Sequence, residues 1–221
     1  MINDNEIEFR TSGFGYVNPE ALIVLVGITP GNTQLRGSRC GKTSREVKRE
    51  NAFAGGMRKN LVRMLDYIGV NKLLGIISCE SFWDEDFDKV EMTSLLKNAT
   101  YYKGKMFNRA SDILRSRKLT RAFNNGFRKD CSRYSKAVLF IAMGGDVGKV
   151  LSYMVSKGNI SVPVVAVPHP SGANAGRIAV FLGAKPAKHD LASERAHEQA
   201  IHAKLTVSKI TSMSGLRGRR G

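Results

Sequence analysis

Residues 21–31, which read ALIVLVGITPG, decide the fold. The first half of this stretch is an unbroken apolar run, and the second half breaks into Gly-Ile-Thr-Pro-Gly. Short apolar runs rich in β-branched residues are typical of buried strands. A strand that is apolar on both faces belongs in a parallel sheet covered on both sides. We therefore predict a strand whose carboxyl end opens into a tight loop, where open α/β sheets bind ligands.

Similar strand-and-loop units recur along the chain. Residues 137–143 (AVLFIAM) repeat the pattern before a Gly-Gly pair, residues 162–167 lead into PHPSGANAGR, and residues 90–105 predict a further strand and loop. Apolar residues recur at helical spacing in residues 57–68 and 109–127, and we also predict helices over residues 147–155 and 191–205. Strands that alternate with helices predict an α/β fold, a three-layer α/β/α domain with a central mostly parallel sheet.

Other segments carry weaker signals. Residues 1–20 are polar with Gly and Pro and predict an irregular lead-in. The run LLGII within residues 72–79 favours a short strand, and residues 81–89 mix three aromatic residues with four acids, which is typical of a solvated loop. The end of the chain turns polar and closes with SGLRGRRG, a basic tail that we expect to be mobile. We divide the chain into a domain of residues 1–183 and a C-terminal helix with a basic tail, residues 184–221.

Composition narrows the class of partner. Hydrophobic residues make up 42% of the 221 residues, which is enough for a packed core. Lys and Arg number 35 against 19 Asp and Glu, a net charge of +16. Proteins this basic usually bind a polyanion; nucleic acid is the first choice and an anionic membrane surface the weaker one. No apolar run reaches the roughly 20 residues of a membrane span, and the first residues lack the pattern of a secretory signal. We expect a cytoplasmic monomer, bacterial or phage-encoded, without a membrane partner.

The cysteines give no sign of a metal or disulfide site. Cys40, Cys79 and Cys131 stand far apart without a CxxC spacing. We expect a reducing compartment, no metal and no cofactor. The segment GSRCGKTS is similar to a phosphate-binding loop, but Arg36 stands where that motif requires its first Gly. Nucleotide hydrolysis is therefore set aside.

The loops that follow the strands carry a family resemblance. GITPG and HPSGANAGR end the first and last strands, and FAGG and TSLLK lie between them. This set, in this order, resembles the uracil-DNA glycosylase superfamily over residues 20–183. GITPG is similar to its G-x-(Asp or Asn)-P-(Tyr or Gly) loop, NAFAGGMRKNLVRMLDYIGV to the segment with its base-stacking Phe, and MTSLLK to its base-reading strand. VPHPSGANAGR is similar to its H-P-S loop, and AVLFIAMGGDVGKVL to the strand and helix before that loop.

The resemblance implies a uracil-DNA glycosylase-like fold and the hydrolysis of a flipped base from DNA, which leaves an abasic site. Phe53 would stack on the base, and His169 would donate a hydrogen bond to the pyrimidine O2 as negative charge builds there. Thr29 stands where many relatives carry the Asp or Asn that places the water. A hydroxyl is a poor general base, so Asn32 and Gln34 are further candidates for that catalytic task.

The partner implied by the resemblance is double- or single-stranded DNA. We expect its phosphates and minor groove to be contacted by six residues, Ser171, Gly172, Asn174, Arg177, Lys97 and Arg58. A DNA groove would also need the basic residues of segments 36–49 and 97–105 to lie near Arg177. A solvated face is the ordinary interpretation of such charges.

Departures from the family pattern widen the predicted base pocket, which we assign to Phe53, Ser94, Gly31 and Ile28. Gly31 replaces the Tyr that blocks C5 substituents in strict uracil enzymes. Ser94 replaces the Asn that reads uracil, and a serine hydroxyl can donate or accept. We therefore predict a glycosylase for a pyrimidine with a bulky C5 group. Hydroxymethylcytosine and its glucosylated form in phage DNA would fit, which would make the protein an antiviral defence enzyme.

Two alternatives stay open. The first is a uracil or mismatch glycosylase of base-excision repair, which shares the fold and differs only in the specificity of its pocket. The second is a member of the superfamily that binds DNA without cutting it, because Thr29 and Ser94 replace two functional side chains.

Overall fold

The computed structural model of the protein describes residues 2–13, 15–32, 35, 41–187 and 190–217. The strands of this part are β1 Ile7–Arg10, β2 Ile23–Gly27, β3 Val90–Ser94, β4 Ala99–Tyr102, β5 Lys105–Met106, β6 Leu139–Met143 and β7 Val164–Val167. Its α-helices include α1 Ser44–Asn51, α2 Gly56–Ile68, α3 Val70–Leu74, α4 Arg117–Phe123, α5 Gly145–Ser156, α6 Ala175–Phe181 and α7 Leu191–Arg217. Strands β1, β4 and β5 form a small antiparallel sheet beside the central one.

The central sheet is parallel throughout, with the order β3-β2-β6-β7. Strand β2 pairs with β3 from Ile23 opposite Val90 to Gly27 opposite Ser94, and with β6 on its other side. Every residue of β2 and β6 is buried, as expected for a sheet that is covered on both faces. The predicted α/β class and the parallel central sheet are confirmed.

Alternate residues of β2 enter two separate hydrophobic cores, because successive side chains of a strand point to opposite faces. Ile23 and Leu25 pack in one core with buried side chains of α2, α6 and α7. Val24 and Val26 pack in the other with buried side chains of α4 and α5. Helices on both faces of one sheet make the three layers.

Helix α7 is longer than the predicted segment 191–205. Its Ala200, Ala203 and Val207 belong to the same core as Ile23 of β2. The division of the chain at residue 183 stays a prediction, and residues 218–221 of the predicted tail lie outside the described residues. None of the described helices is long and apolar enough to cross a membrane.

Two predictions about local structure near the first third of the chain are wrong. The lead-in of residues 1–20 is not irregular throughout, because β1 within it pairs with β4. The proposed strand in residues 72–79 is absent from the described structure. Helix α3 occupies its first part, because Gly69 and Gly75 adopt left-handed conformations that bracket one short helix.

Two further predictions also need correction. The segment 81–89 is not a solvated loop, since Phe82 and Trp83 are buried. The predicted helix of residues 109–127 is interrupted. Ser116 begins α4 by accepting a hydrogen bond at its side chain from the backbone N–H of Leu119, so a separate 3-10 turn precedes α4.

A buried ion pair joins α1 to the central sheet. The Nζ of Lys48 lies 2.5 Å from Oε1 of Glu91, and their side chains are 1% and 0% exposed. Glu91 also accepts a hydrogen bond from the backbone N–H of Asn18 at 2.8 Å, and Lys48 donates to the carbonyl oxygen of Tyr16. Burial lowers the pKa of Lys48, and the carboxylate of Glu91 acts against that shift. The pair holds the end of α1, and therefore the loop that follows it, against β3.

We predict that Glu91→Gln lowers the free energy of unfolding by about 3–5 kcal/mol, because it leaves the Lys48 ammonium buried without a counter-charge. The double variant Lys48→Met, Glu91→Gln should lose less than Glu91→Gln alone. Urea unfolding followed by circular dichroism measures both. The matched control is Glu20→Gln, which breaks an exposed pair with Lys136 and should cost under about 1 kcal/mol. Equal losses for Glu20→Gln and Glu91→Gln would contradict the assignment.

Candidate active site

A cleft of about 880 Å³ opens at the carboxyl edge of the central sheet. Because its four strands are parallel, Gly27, Ser94, Met143 and Val167 end at this edge. Strand β3, which follows β2 in the sequence, lies on one side of β2 in the sheet. Strand β7, which follows β6, lies on the opposite side of β6. The strand order therefore reverses between β2 and β6, and ligands of open α/β sheets bind in the crevice at such a point.

The cleft gathers predicted site residues from distant parts of the chain. Of the thirteen residues assigned to the site from the sequence, nine line it: Ile28, Thr29, Gly31, Phe53, Ser94, His169, Ser171, Asn174 and Arg177. Phe53 and His169, which come from loops at opposite ends of the core sequence, thus face the same cavity. The functional roles of these residues stay predictions.

Asn32 and Gly172 do not line the cleft. Asn32 is exposed and accepts a hydrogen bond at its Oδ1 from the hydroxyl of Tyr101 at 2.6 Å. Gly172 is exposed in the turn after Ser171. The further candidate Gln34 and the basic residues of segment 36–40 lie outside the described residues.

Lys97 and Arg58 also lie away from the cleft. The Nζ of Lys97 lies 2.9 Å from Oδ2 of Asp130. Arg58 lies over the ring of Trp83 at 4.9 Å and donates to the carbonyl oxygen of Glu50 at 2.6 Å, and burial lowers its pKa. The charges of both residues are engaged within the protein, so contact between them and DNA stays a prediction.

Phe53 is held in a strained backbone conformation beside the cleft. Its φ of 52° lies in the left-handed region, which a bulky residue rarely adopts. The carbonyl oxygen of Ala52, just before it, accepts hydrogen bonds from Nε1 of Trp83 at 2.8 Å and from Arg58 at 3.4 Å. Strain of this kind persists where the surroundings over-determine it, often at functional sites. Trp83 and Arg58 therefore position the loop that carries Phe53.

His169 offers a defined donor to the cleft. Its Nδ1 accepts a hydrogen bond from the backbone N–H of Ser171 at 3.3 Å, so the proton of the neutral imidazole resides on Nε2. Burial lowers the pKa of His169 below its ordinary value, which favours the neutral form at pH 7. The Nδ2 of Asn60 in α2 donates to the carbonyl oxygen of Pro170 at 2.9 Å. This bond ties the His169 loop to the helix that follows Phe53.

Thr29 joins the loop after β2 to the segment around the start of β4 by hydrogen bonds. Its hydroxyl donates to the carbonyl oxygen of Asn98 at 2.9 Å and accepts from the backbone N–H of Thr100 at 2.9 Å. The proton of the hydroxyl is thus used within the protein. One lone pair remains to accept a hydrogen bond from water.

Gly31, in the loop after β2, and Ser94, at the end of β3, both line the cleft. A Cβ added at Gly31 would meet no atom within 4 Å among the described residues. Ser94 is half-buried, and its hydroxyl has no hydrogen-bond partner in the part of the chain that the structure describes. Its side chain packs over Gly27, since a Cβ there would lie 3.7 Å from the serine Oγ. Among the described residues, Gly31 therefore leaves room for a ligand, and Ser94 offers the cleft a hydroxyl that can donate or accept.

Sequence reasoning missed several lining residues. Asp146 and Lys149 come from α5, and Ala192, Arg195, Ala196 and Gln199 come from one face of α7. The position of Asp146 directly after the Gly-Gly pair of a strand end was a usable signal, because such loops form the ligand edge. The periodicity of α7 gave no indication that its first turns face the cleft. Among the described residues, no group of three or more His, Cys, Asp or Glu is placed to hold a metal ion.

Comparisons with known proteins find a similar sequence and a similar solved structure. No protein-family model matches the chain. Uncharacterized protein YoxB of Bacillus subtilis (strain 168) is 25% identical over 181 residues, which cover 75% of this chain and 71% of YoxB. The crystal structure of wild-type Pedobacter heparinus SMUG2 is similar with a TM-score of 0.46 and 12% identity, covering 99% of this chain and 91% of that one. Neither likeness is strong enough to assign a family or an activity to this chain.

Proposed function

We propose that the protein is a DNA glycosylase of the uracil-DNA glycosylase superfamily, which flips out a pyrimidine and hydrolyses its N-glycosidic bond. The observation that carries this proposal is the shared cleft of Phe53 and His169 at the carboxyl edge of the sheet. Its volume of about 880 Å³ lies within the range of small-molecule sites. A base must leave the duplex before its glycosidic bond can be reached. Stacking of the extruded base on an aromatic side chain then offsets about 1–3 kcal/mol of the free energy needed to extrude it.

His169 supplies the electrostatic part of the proposed mechanism. As the bond between C1′ and N1 breaks, its electron pair passes to the base and negative charge builds on O2. The Nε2–H of a neutral, half-buried imidazole can donate to that oxygen without first gaining a proton. The backbone N–H of Ser171 holds the ring before the reaction starts, so little reorganisation is needed.

Positive charge supports DNA as the partner. Arg177, Lys149 and Arg195 line the cleft and are exposed, and the whole chain carries +16. Cations at the mouth of a cleft can contact the phosphates that flank a flipped nucleotide. We propose that the protein acts in this way as a cytoplasmic monomer on double- or single-stranded DNA.

The open wall at Gly31 and Ser94 supports a modified base as the substrate. The space beside Gly31 would accept a C5 substituent, and the unpartnered hydroxyl of Ser94 does not restrict the base to uracil. We propose a pyrimidine with a bulky C5 group, such as hydroxymethylcytosine or its glucosylated form in phage DNA. Removal of such bases would serve antiviral defence.

One observation favours a second function, a DNA-binding protein without catalysis. Thr29 replaces the water-placing side chain, and its hydroxyl already donates a hydrogen bond to the carbonyl oxygen of Asn98. A protein of this kind would bind DNA in the basic cleft without hydrolysing the glycosidic bond. Repair of uracil or mismatches is the other alternative, and it differs in substrate alone.

We predict that duplexes with one hydroxymethylcytosine or glucosylated hydroxymethylcytosine acquire alkali-sensitive abasic sites when they are incubated with the protein. The His169→Ala variant should release base about 10²–10³-fold more slowly, because one donor to the developing oxyanion is lost, while its affinity for DNA is kept. His202→Ala, on the exposed face of α7, is the matched control and should act like the wild type.

Each other outcome of this assay selects an alternative. Release of uracil alone, or of thymine from mismatches alone, would refute the modified-base substrate and support repair. Tight DNA binding without release of any base would refute the glycosylase and support the non-catalytic function.

We predict that Gly31→Tyr changes substrate preference, because a ring at this position fills the space that a C5 group would occupy. Release of the glucosylated base should fall at least about tenfold relative to release of uracil. Single-turnover rates on the two duplexes measure the ratio, and the uracil duplex serves as the internal control. An unchanged ratio would show that the C5 group does not lie beside residue 31.

A further inference from the structure

Hydrolysis of an N-glycosidic bond needs a group that places water at C1′ and offsets the positive charge on the sugar. Among the described residues, the sequence predicts Thr29 and Asn32 for this task. The proton of the Thr29 hydroxyl is donated to Asn98, and Asn32 does not line the cleft. Neither residue therefore supplies a negative charge at C1′.

Asp146 is the sole carboxylate among the described residues that line the cleft. It lies in the first turn of α5, directly after the Gly-Gly pair that ends β6. Its Oδ1 lies 3.0 Å from Nζ of Lys149, and the two side chains are 47% and 73% exposed. A pair this exposed is weak, so the carboxylate remains available to a ligand.

Gly144, two residues before Asp146, lies beside the segment that carries His169, and Asp146 and His169 line the same cleft. The backbone N–H of Gly144 donates to the carbonyl oxygen of Val167 at 2.8 Å. A Cβ added at Gly144 would lie 4.0 Å from the Cβ of His169. In a pyrimidine, O2 is attached to C2, the neighbour of N1, and N1 is bonded to C1′. O2 and C1′ are therefore carried by adjacent ring atoms, so a residue near the O2 donor can also reach C1′.

The topology of the sheet also places Asp146 at the ligand crevice. The strand order reverses between β2 and β6, so the loops after these two strands flank the ligand crevice. Thr29 lies in the loop after β2, and Asp146 lies in the first turn of the helix that follows β6. Both segments line the cleft, and only the second carries a carboxylate there among the described residues.

We propose that Asp146 is the catalytic residue that places the water, a role that rests on the proposed glycosylase function. The C1′–N1 bond breaks, and its electron pair passes to the base, where His169 stabilises O2. The carboxylate of Asp146 offsets the positive charge on the sugar and accepts a proton from the water whose oxygen bonds to C1′. The free base takes a proton from solvent, and Asp146 returns its proton to solvent. The products are the base and an abasic sugar with a hydroxyl at C1′.

A first-turn acid also stabilises its helix through the helix dipole, and this structural role must be separated from catalysis. It would change the melting temperature of an Asp146 variant without a specific effect on the chemical step. Glu194 is the matched control, because it is an acid in the first turn of α7 and does not line the cleft.

The test is single-turnover release of base by the full chain, with an excess of protein over the duplex that the wild type cleaves. Asp146→Asn should lower the maximal rate about 100-fold or more, with unchanged affinity for the duplex. Asp146→Glu should recover part of the rate. Added formate should restore release by Asp146→Ala and leave His169→Ala unrestored. Glu194→Gln should release base at the wild-type rate.

The possible failures are distinct. Release by Asp146→Asn at the wild-type rate, while His169→Ala is slow, would overturn the role of Asp146 and leave the glycosylase function standing. Absence of release by the wild type on every duplex would overturn both. If Asp146→Asn fails to fold, a lack of both Asp146→Glu activity and formate rescue of Asp146→Ala would overturn the role of Asp146.

Discussion

The parallel alignment of β2, β3, β6 and β7 is the constraint on which the rest of the structure depends. It brings the carboxyl ends of four strands to one edge, although the strands lie far apart in the sequence. The alignment is stable because the alternating faces of β2 are buried in two hydrophobic cores. Each core excludes water from one face of the sheet, which stabilises the parallel alignment and register from which the cleft results.

Hydrogen bonds from neighbouring elements then hold the walls of the cleft. The strained conformation of Phe53 follows a carbonyl group that two donors fix, Trp83 and Arg58. The loop of His169 is joined to α2 through Asn60. Binding sites gain affinity and rate when such supports set their geometry before the ligand arrives. Residues that lie outside the cleft therefore contribute to the proposed function by positioning the residues within it.

The sequence could predict the fold because its decisive signals are local. The apolar run that becomes β2 and the Gly- and Pro-rich loops at the strand ends are short-range patterns, and parallel strands bring such loops together. The site was predicted less well. Lys97 and Lys48 look like any other basic residues in the sequence, yet one is paired with Asp130 and the other is buried against Glu91. Charge pairing depends on tertiary contacts that no spacing rule reveals.

The contribution of α7 was hidden for a related reason. Helical periodicity indicates which face of a helix is apolar, but not which layer of the protein it covers. The same helix places Ala203 in a core and Arg195 at the cleft. The sequence pattern does not predict this change of environment along the helix. The resemblance does not predict Asp146 as a site residue, because the family pattern has its water-placing side chain at position 29.

In the mechanism that we propose, one extruded base lies between the ring of Phe53 and the neutral imidazole of His169. A crystal structure of the protein with a duplex tests it most directly, if the target nucleotide carries a 2′-fluorine that slows cleavage. We predict that the base lies in the cleft against the Phe53 ring, with O2 about 2.7–3.1 Å from Nε2 of His169. A base that stays stacked in a duplex bound to another surface, with the cleft empty, would contradict the account.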